Sequence, residues 1–242
     1  MMLGITGESG FLGSHIASSA ERRFGLEIVR FGNPLSLKVN EYCKIDTVIH
    51  CASVHRDPNP SKVYEINMDI HKALIDLLTC NNQRPNIVML SSIQENNGSP
   101  YGNSKKDGSL LLKEFCDKQK SNFLKFSLNN TFGPNSHPYK YSFVATFCHN
   151  IINDIPCEVT DRKIKLSYVD EVVDSIIKGK VDGYEIFDTS ILNVFQLLTD
   201  FNKSFFHEGK IPVFQSKFEF YLFNTLLSFK SYHLDRGLAK QR

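Results

Sequence analysis

Glycines at positions 7, 10 and 13, between an apolar run and an amphipathic stretch at the start of the chain, restrict the fold more than any other feature. The segment Gly7-Glu8-Ser9-Gly10-Phe11-Leu12-Gly13 has G-x-x-G-x-x-G spacing. The first glycine allows a tight turn out of a strand. The second lets backbone approach a pyrophosphate, and the third lets the next helix pack close to the strand. The helix N-terminus behind them offers free N–H groups and the positive end of its dipole. Three glycines alone could mark an ordinary turn. Their context, after a strand expected at Met2–Thr6 and before a helix expected over Phe11–Arg23, is the one a dinucleotide loop requires. Gly7, Gly10, Phe11, Leu12 and Gly13 are therefore read as cofactor contacts.

One strand–loop–helix unit cannot bury its own faces, and the chain repeats the pattern. Leu26–Phe31, Asp46–Cys51, Asn86–Ser91 and Asn122–Leu128 read as further strands, with helices over Tyr64–Thr79 and Tyr101–Lys118. Each strand is too apolar for a wet face, as in a parallel sheet covered by helices on both sides. After about Phe132 the pattern changes. A loop rich in Gly, Pro, Asn and Ser leads to a helix near Phe143–Ile152 and two short strand candidates, Glu158–Thr160 and Lys163–Ser167. Helical stretches follow at Val169–Lys178, Leu192–Phe206 and Phe218–Tyr232, ahead of a polar tail read as frayed. The fold class is α/β, a Rossmann-like doubly wound parallel sheet with a smaller C-terminal lobe. Residues 1–131 are expected to form the dinucleotide-binding core, and residues 132–242 a substrate-binding lobe interleaved with it.

Composition narrows the partners. A formal net charge of +2 gives no footprint for nucleic acid and no polybasic membrane anchor. No run reaches the roughly 18–20 apolar residues that span a bilayer, so membrane insertion is not expected. The N-terminus lacks a basic segment ahead of an apolar run, which speaks against a secretory signal. Cys43, Cys51, Cys80, Cys116, Cys148 and Cys157 form no C-x-x-C and no Cys/His cluster. They read as reduced thiols of a cytoplasmic chain. His137, His149 and His207 have no partner spacing, so no metal is expected.

The chemistry-bearing residues lie at strand ends. Arg30 ends the second strand, where NAD-preferring folds place an acidic residue for the ribose 2′-hydroxyl. A guanidinium there suits a 2′-phosphate, which favours NADPH over NAD. Tyr101-Gly102-Asn103-Ser104-Lys105 is a Y-x-x-x-K, and on a helix its two ends share one face. The ammonium is expected to lower the phenol's pKa. The fourth strand ends Leu90-Ser91-Ser92, and one of these serines can aim its hydroxyl at the same point. Serine, tyrosine and lysine together can hydrogen-bond and protonate a carbonyl oxygen while a nicotinamide gives hydride to the carbon.

With these motifs the chain resembles the extended short-chain dehydrogenase/reductases, the NAD-dependent epimerase/dehydratase family. Within it the chain is similar to the reductase domain of UDP-2-acetamido-2,6-dideoxy-L-talose-forming capsular polysaccharide enzymes. The stretches that carry the likeness are ITGESGFLG, SSIQENNGSPYGNSKKDG, NTFGPN, YSFVATFCHNI and LSYVDEVVDSI. The resemblance implies that Ser92, rather than Ser91, joins Tyr101 and Lys105, and that Asn67 orients the site. It implies that Cys51, Ala52 and Ser53 lie against the cofactor, which Tyr101 and Lys105 also touch, and that Asn130 lies near nicotinamide and sugar. The chain departs from the pattern in three places. Ser127 stands where relatives have arginine, and Ser53 replaces a glycine. Bifunctional members continue into a cupin domain that epimerises a sugar, whereas this sequence stops at Arg242, so that second activity is expected to need another polypeptide.

The activity implied is NADPH-dependent reduction of the 4-keto group of a UDP-linked 2-acetamido-2,6-dideoxyhexose, in the synthesis of surface polysaccharide precursors. The partner implied is that UDP-sugar, and the assembly a homodimer packed through the helices after Pro60 and after Tyr101. Arg56, Asn130 and Arg162 are the substrate candidates. Arg162 pairs either with the nucleotide diphosphate or merely with Asp161 at the surface. His55, beside Arg56, could reach sugar or cofactor phosphates. Two other readings stay open. One is an epimerase or dehydratase that keeps NAD bound, although Gln94-Glu95-Asn96 stands where dehydratases carry an Asp–Glu pair. The other is a non-catalytic NADP-binding partner protein.

Overall fold

The computed structural model describes residues 1–32, 44–140 and 142–239; Cys43 lies outside them. In chain order the elements of the first part are β1 (Met2–Thr6), α1 (Phe11–Arg22), β2 (Glu27–Arg30), β3 (Thr47–His50), α2 (Lys62–Cys80), β4 (Asn86–Ser92), α3 (Pro100–Gln119) and β5 (Phe123–Leu128). They are followed by β6 (Asn130–Phe132), α4 (Phe143–Ile152), β7 (Lys163–Tyr168), α5 (Val169–Ile177), β8 (Phe187–Ser190), α6 (Ile191–Phe201) and α7 (Lys217–Ala239).

Five strands form a parallel sheet in the order β2-β1-β3-β4-β5. From β1 the chain winds outward to β2, then returns to the other side of β1 and proceeds through β3 to β5. That reversal opens a crevice at the carboxyl ends of β1 and β3, the place where such sheets take ligands. Strand alternation sorts the core. Ile87 and Met89 of β4 point into a cluster with Phe31, Leu74, Leu78, Leu112 and Phe115, supplied chiefly by α2 and α3. Val88 and Leu90, buried as well, point to the opposite face. This is the doubly wound Rossmann-like fold expected from the sequence.

The chain divides into two compact units, Met1–Leu128 with Val173–Gly183, and Asn129–Val172 with Tyr184–Arg242. Within the first, Asp174 of α5 pairs with Arg23 beyond α1 at 2.8 Å. The second unit has its own three-stranded sheet in the order β6-β7-β8, parallel then antiparallel. Its core is aromatic: Phe132 lies edge-on to Phe218, and Tyr168 stacks flat on Tyr221 at 3.8 Å.

Sequence and structure part company in this second unit. Glu158–Thr160 is not a strand, because β7 takes β6 and β8 as neighbours and leaves that segment without a ladder partner. Both neighbours are too short and too polar to stand out in the sequence. The helix expected to reach Phe206 ends at Phe201 and continues as a π-helical turn, Asn202–His207. The last helix runs past Tyr232 to Ala239. Gly237 is the one weak helix former there, and a single glycine lowers helix stability by only about 1 kcal/mol.

Candidate active site

The glycine loop is built as its spacing demands. Gly7 has φ +68°, and a Cβ on it would lie 2.8 Å from the Ala52 amide nitrogen in the loop after β3. Its carbonyl accepts the Gly10 N–H at 3.0 Å. A Cβ on Gly13 would stand 2.0 Å from that same carbonyl oxygen. The N-terminus of α1 has no side-chain cap and no acidic residue in its first turn, so nothing on the helix competes with an anion for its first amides. These residues fit a dinucleotide pyrophosphate. Glu8, a free position in the motif, buries one carboxylate oxygen with no hydrogen-bond partner among the described residues. Arg30 ends β2 as expected, and its guanidinium meets Glu21 of α1 at 2.9 Å, both side chains about half exposed. Such a pair contributes no more than about 1 kcal/mol and yields readily to a phosphate.

The loop after β3 is tied down from beneath by polar groups that sequence reading missed. The Ala52 N–H donates to Thr6 Oγ1 at 3.1 Å, that hydroxyl meets His50 Nδ1 at 2.8 Å, and His50 Nε2 meets His71 Nδ1 at 2.9 Å. Both rings are buried. His71 presses so close to α3 that a Cβ on Gly108 would lie 2.2 Å from its Nε2. One turn earlier on α2, buried Asn67 accepts the Val54 N–H at 2.7 Å. Its amide donates to the Val54 carbonyl at 2.9 Å and to Ser104 Oγ of α3 at 3.0 Å. Asn67 thus joins three segments, as an orienting residue must. The signal for His71 was its position four residues after Asn67 on one helix face.

Burial, then the charges of His71 and Lys105, hold His50 well below the usual histidine range. Burial, then Lys105, pushes His71 down to about 4. Unfolded histidines titrate near about 6.5, so between that pH and about 4 the unfolded chain binds more protons than the folded one. Stability should therefore fall as pH drops through this window, by up to about 1.4 kcal/mol per pH unit for each histidine. Urea unfolding at successive pH values checks it. The slope should flatten in His71→Leu, and an unchanged slope would assign the effect to other groups.

Tyr101 sits in the first turn of α3, started by Pro100 and capped by Ser99, whose hydroxyl accepts the Gly102 N–H at 3.0 Å. Lys105, 3% exposed, donates from Nζ to the Leu90 carbonyl at 2.9 Å and lies 5.7 Å from the Tyr101 ring centroid. Burial pushes the Tyr101 phenol up to about 12, against a hydrogen bond with Ser53 that pulls it down. The same desolvation pushes Lys105 down to about 8. The lowered phenol expected beside an ammonium is therefore not found: burial raises it, and the group that pulls it down is Ser53 rather than Lys105. The consequence is chemical: at neutral pH the phenol keeps its proton and can act as an acid.

The two serines that end β4 part company. The Ser91 hydroxyl donates to Glu95. Ser92 Oγ accepts the Gln94 N–H at 3.2 Å and starts the 3-10 turn Ile93–Asn96. A Cβ on Gly102 would stand 2.1 Å from the Gln94 carbonyl oxygen, so the turn that carries Ser92 lies directly against the turn that carries Tyr101. The His55 ring stacks on Tyr101 at 4.7 Å and 29°. The first unit thus brings together Ser53, Asn67, Ser92, Tyr101 and Lys105. Burial holds Cys51 as a thiol, pushed up to about 12. Arg56 is exposed beside His55. Asn130 and Arg162 belong to the second unit, both exposed, one opening β6 and the other directly ahead of β7 rather than between two strands.

Among the described residues no three His, Cys, Asp or Glu side chains gather as a metal site, and no helix is long and apolar enough to cross a membrane. The model of the NAD dependent epimerase/dehydratase family matches residues 3–178. Over 178 residues the chain is 33% identical to the UDP-2-acetamido-2,6-beta-L-arabino-hexul-4-ose reductase of Pseudomonas aeruginosa, 72% of this chain and 48% of that protein. It spans about half the length of that curated relative. The capsular polysaccharide assembling protein CapF of Staphylococcus aureus superposes with a TM-score of 0.74 at 27% identity, covering 95% of this chain and 65% of that one. The UDP-glucose 4-epimerase of Thermotoga maritima superposes with a TM-score of 0.76 over 96% of this chain and 99% of its own. At 17% identity that likeness speaks for the fold alone.

Proposed function

The chain belongs to the NAD dependent epimerase/dehydratase family, and from that membership we propose that it is an NADPH-dependent reductase acting on the 4-keto group of a UDP-linked 2-acetamido-2,6-dideoxyhexose. The observation that carries the reading is the pairing of half-buried Tyr101 with buried Lys105, the phenol held protonated, on the helix that follows the strand ending in Ser92. Reduction of a ketone consumes a proton, and a half-buried neutral phenol is a group that can give it. An epimerase that recycles its cofactor has no such net demand. The 33% identity to a hexulose 4-keto reductase supports the same substrate class.

In this reading Gly7, Gly10, Phe11, Leu12 and Gly13 would hold the cofactor's pyrophosphate, Arg30 would exchange Glu21 for a 2′-phosphate, and Cys51, Ala52 and Ser53 would lie against the cofactor. When bound, the reduced nicotinamide supplies a hydride. Ser92 Oγ donates a hydrogen bond to the substrate's carbonyl oxygen, Tyr101 delivers the proton to it, and Lys105 stabilises the tyrosinate left behind. Asn67 keeps the Ser53–His55 segment in register with α3, so the phenol stays desolvated until substrate arrives. Arg56, Asn130 and Arg162 are assigned to the UDP-sugar, residues 1–131 to the cofactor and residues 132–242 to the substrate. A cytoplasmic homodimer joined through α2 and α3 completes the proposal.

The test is incubation of the purified protein with NADPH and the 4-keto sugars that a 4,6-dehydratase forms from UDP-N-acetylglucosamine. Stoichiometric loss of reduced nicotinamide is expected, faster with NADPH than with NADH, with a 4-hydroxyl sugar in the product. Inversion of the sugar without net cofactor consumption would overturn the reductase reading in favour of an epimerase.

A further inference from the structure

Tyr101 stands in the first turn of α3, half-buried and outside the core. What meets its ring is the imidazole of His55, stacked at 4.7 Å between centroids and 29° between planes. That separation lies in the range where two offset rings attract each other. The seat of His55 is built from the same helix. Val54, directly before it, is held on both backbone groups by the Asn67 amide, at 2.7 and 2.9 Å. Asn67 Nδ2 also donates to Ser104 Oγ at 3.0 Å, and that hydroxyl donates to the Tyr101 carbonyl at 2.7 Å. An unbroken run of hydrogen bonds therefore joins the backbone beside His55 to the backbone of Tyr101. The two rings meet because both ends of that run are fixed.

Charge does not explain the pairing. Burial, then Lys105 and Arg56, push His55 down to about 4, so its ring is neutral through the neutral range. The cation near this phenol is Lys105, whose Nζ lies 5.7 Å from the ring centroid. A neutral imidazole brings bulk and flatness instead: it stops the phenol ring from swinging and keeps water off the side it covers. Both matter for a proton donor, whose hydroxyl has to meet a carbonyl oxygen at hydrogen-bond distance. We propose that His55 is a positioning residue for the proton donor: seated on Tyr101 through the Val54–Asn67–Ser104 hydrogen bonds, its imidazole holds the phenol in one orientation and shields it from water. The sequence alone has His55 reaching for a phosphate of sugar or cofactor, whereas in the fold its ring lies on Tyr101. The effect on turnover rests on the reductase reading above; the contact between the rings does not.

The experiment is the ionisation of Tyr101 in the free protein, read by NMR with 13Cζ-labelled tyrosine and assigned by the signal lost in Tyr101→Phe. With a midpoint of about 12, roughly a tenth of the phenol is ionised at pH 11. His55→Ala removes no core side chain. It should move the midpoint down by about one pH unit, toward the ordinary tyrosine value of about 10, so that roughly half is ionised at pH 11. His55→Phe, which keeps a flat ring, should stay at the wild-type value. A wild-type midpoint in His55→Ala, or one as low in His55→Phe as in His55→Ala, would overturn the proposal. Should alkali unfold the protein, the ring-proton shifts of Tyr101 at neutral pH give the second reading. They should lose their upfield ring-current displacement in His55→Ala and keep it in His55→Phe, and unchanged shifts in His55→Ala would sink the stack. Turnover is read separately. If the wild-type protein reduces the keto sugar, His55→Ala should lower kcat by about tenfold to a hundredfold with KM little changed, and His55→Phe should recover most of it. A raised KM at unchanged kcat would make His55 a substrate contact and overturn the positioning role. A shifted midpoint in a protein that reduces no sugar would uphold the stack and overturn the functional reading instead.

Discussion

Tyr101→Phe should lose between about a hundredfold and ten-thousandfold in kcat, the range that a positioned proton donor contributes, while the cofactor binds almost as before. The substitution is clean on structural grounds. Phenylalanine keeps the ring that stacks on His55 and the flank that faces Lys105. What disappears is one hydroxyl, which bonds Ser53 and holds a proton up to about pH 12. The lost hydrogen bond is worth about 1 kcal/mol of stability, too little to unfold a chain of this size. Stopped-flow oxidation of NADPH by the keto sugar, beside a fluorescence titration of NADPH alone, separates chemistry from binding. Turnover near the wild-type rate would remove Tyr101 from the chemistry. Cofactor affinity lost in step with turnover would make it a binding residue instead.

The parts of this site legible in the sequence are those set by neighbours in the chain. Gly7, Gly10 and Gly13 are spaced by the geometry of one turn and one helix start, and Tyr101 and Lys105 by one helical turn. Such constraints act over a handful of residues, so they survive being read without a fold. The Thr6–His50–His71 chain does not. Thr6 and His50 are 44 positions apart and meet only because β1 and β3 pair in parallel. His71 joins them because Gly108 leaves room for its ring against α3. The helical spacing from Asn67 marks His71 as inward-facing, but no local pattern announces that it meets His50.

The acidity of the phenol escapes the sequence for a related reason. Lys105 stands one turn away from Tyr101, and from spacing alone its charge should dominate. In the fold Nζ turns to the Leu90 carbonyl, and the Ser53–His55 segment covers the phenol. Desolvation is a property of what covers a group, and here the cover comes from a loop about 50 residues earlier in the chain. The second unit is less legible still in the sequence. Its sheet rests on strands of three and four residues, β6 and β8, whose identity is given by pairing with β7 and not by their own composition.

Gly13→Ala should be the most damaging single-methyl change in the nucleotide loop. The added Cβ would stand 2.0 Å from the Gly7 carbonyl oxygen, 2.7 Å from its carbon and 2.9 Å from the Glu8 Cα, all of them backbone. No side chain is available to move aside. The Gly7 carbonyl is already engaged by the Gly10 N–H, so relief means lifting the first turn of α1 off the loop. Overpacking of this kind costs about 1–3 kcal/mol of stability. The displaced first-turn amides are those assigned to the pyrophosphate, so a similar loss in binding would weaken NADPH by roughly fivefold to 150-fold. Gly10 is the internal control: its added Cβ would meet the same oxygen at 3.2 Å, a distance that a few tenths of an ångström relieves. Thermal melts and NADPH titrations on the two variants should therefore diverge, Gly13→Ala failing in both and Gly10→Ala shifting little in stability. Equal losses from the two substitutions would mean that the loop tolerates no methyl group at all. The selective contact with Gly7 would then not be what fixes the helix to the cradle.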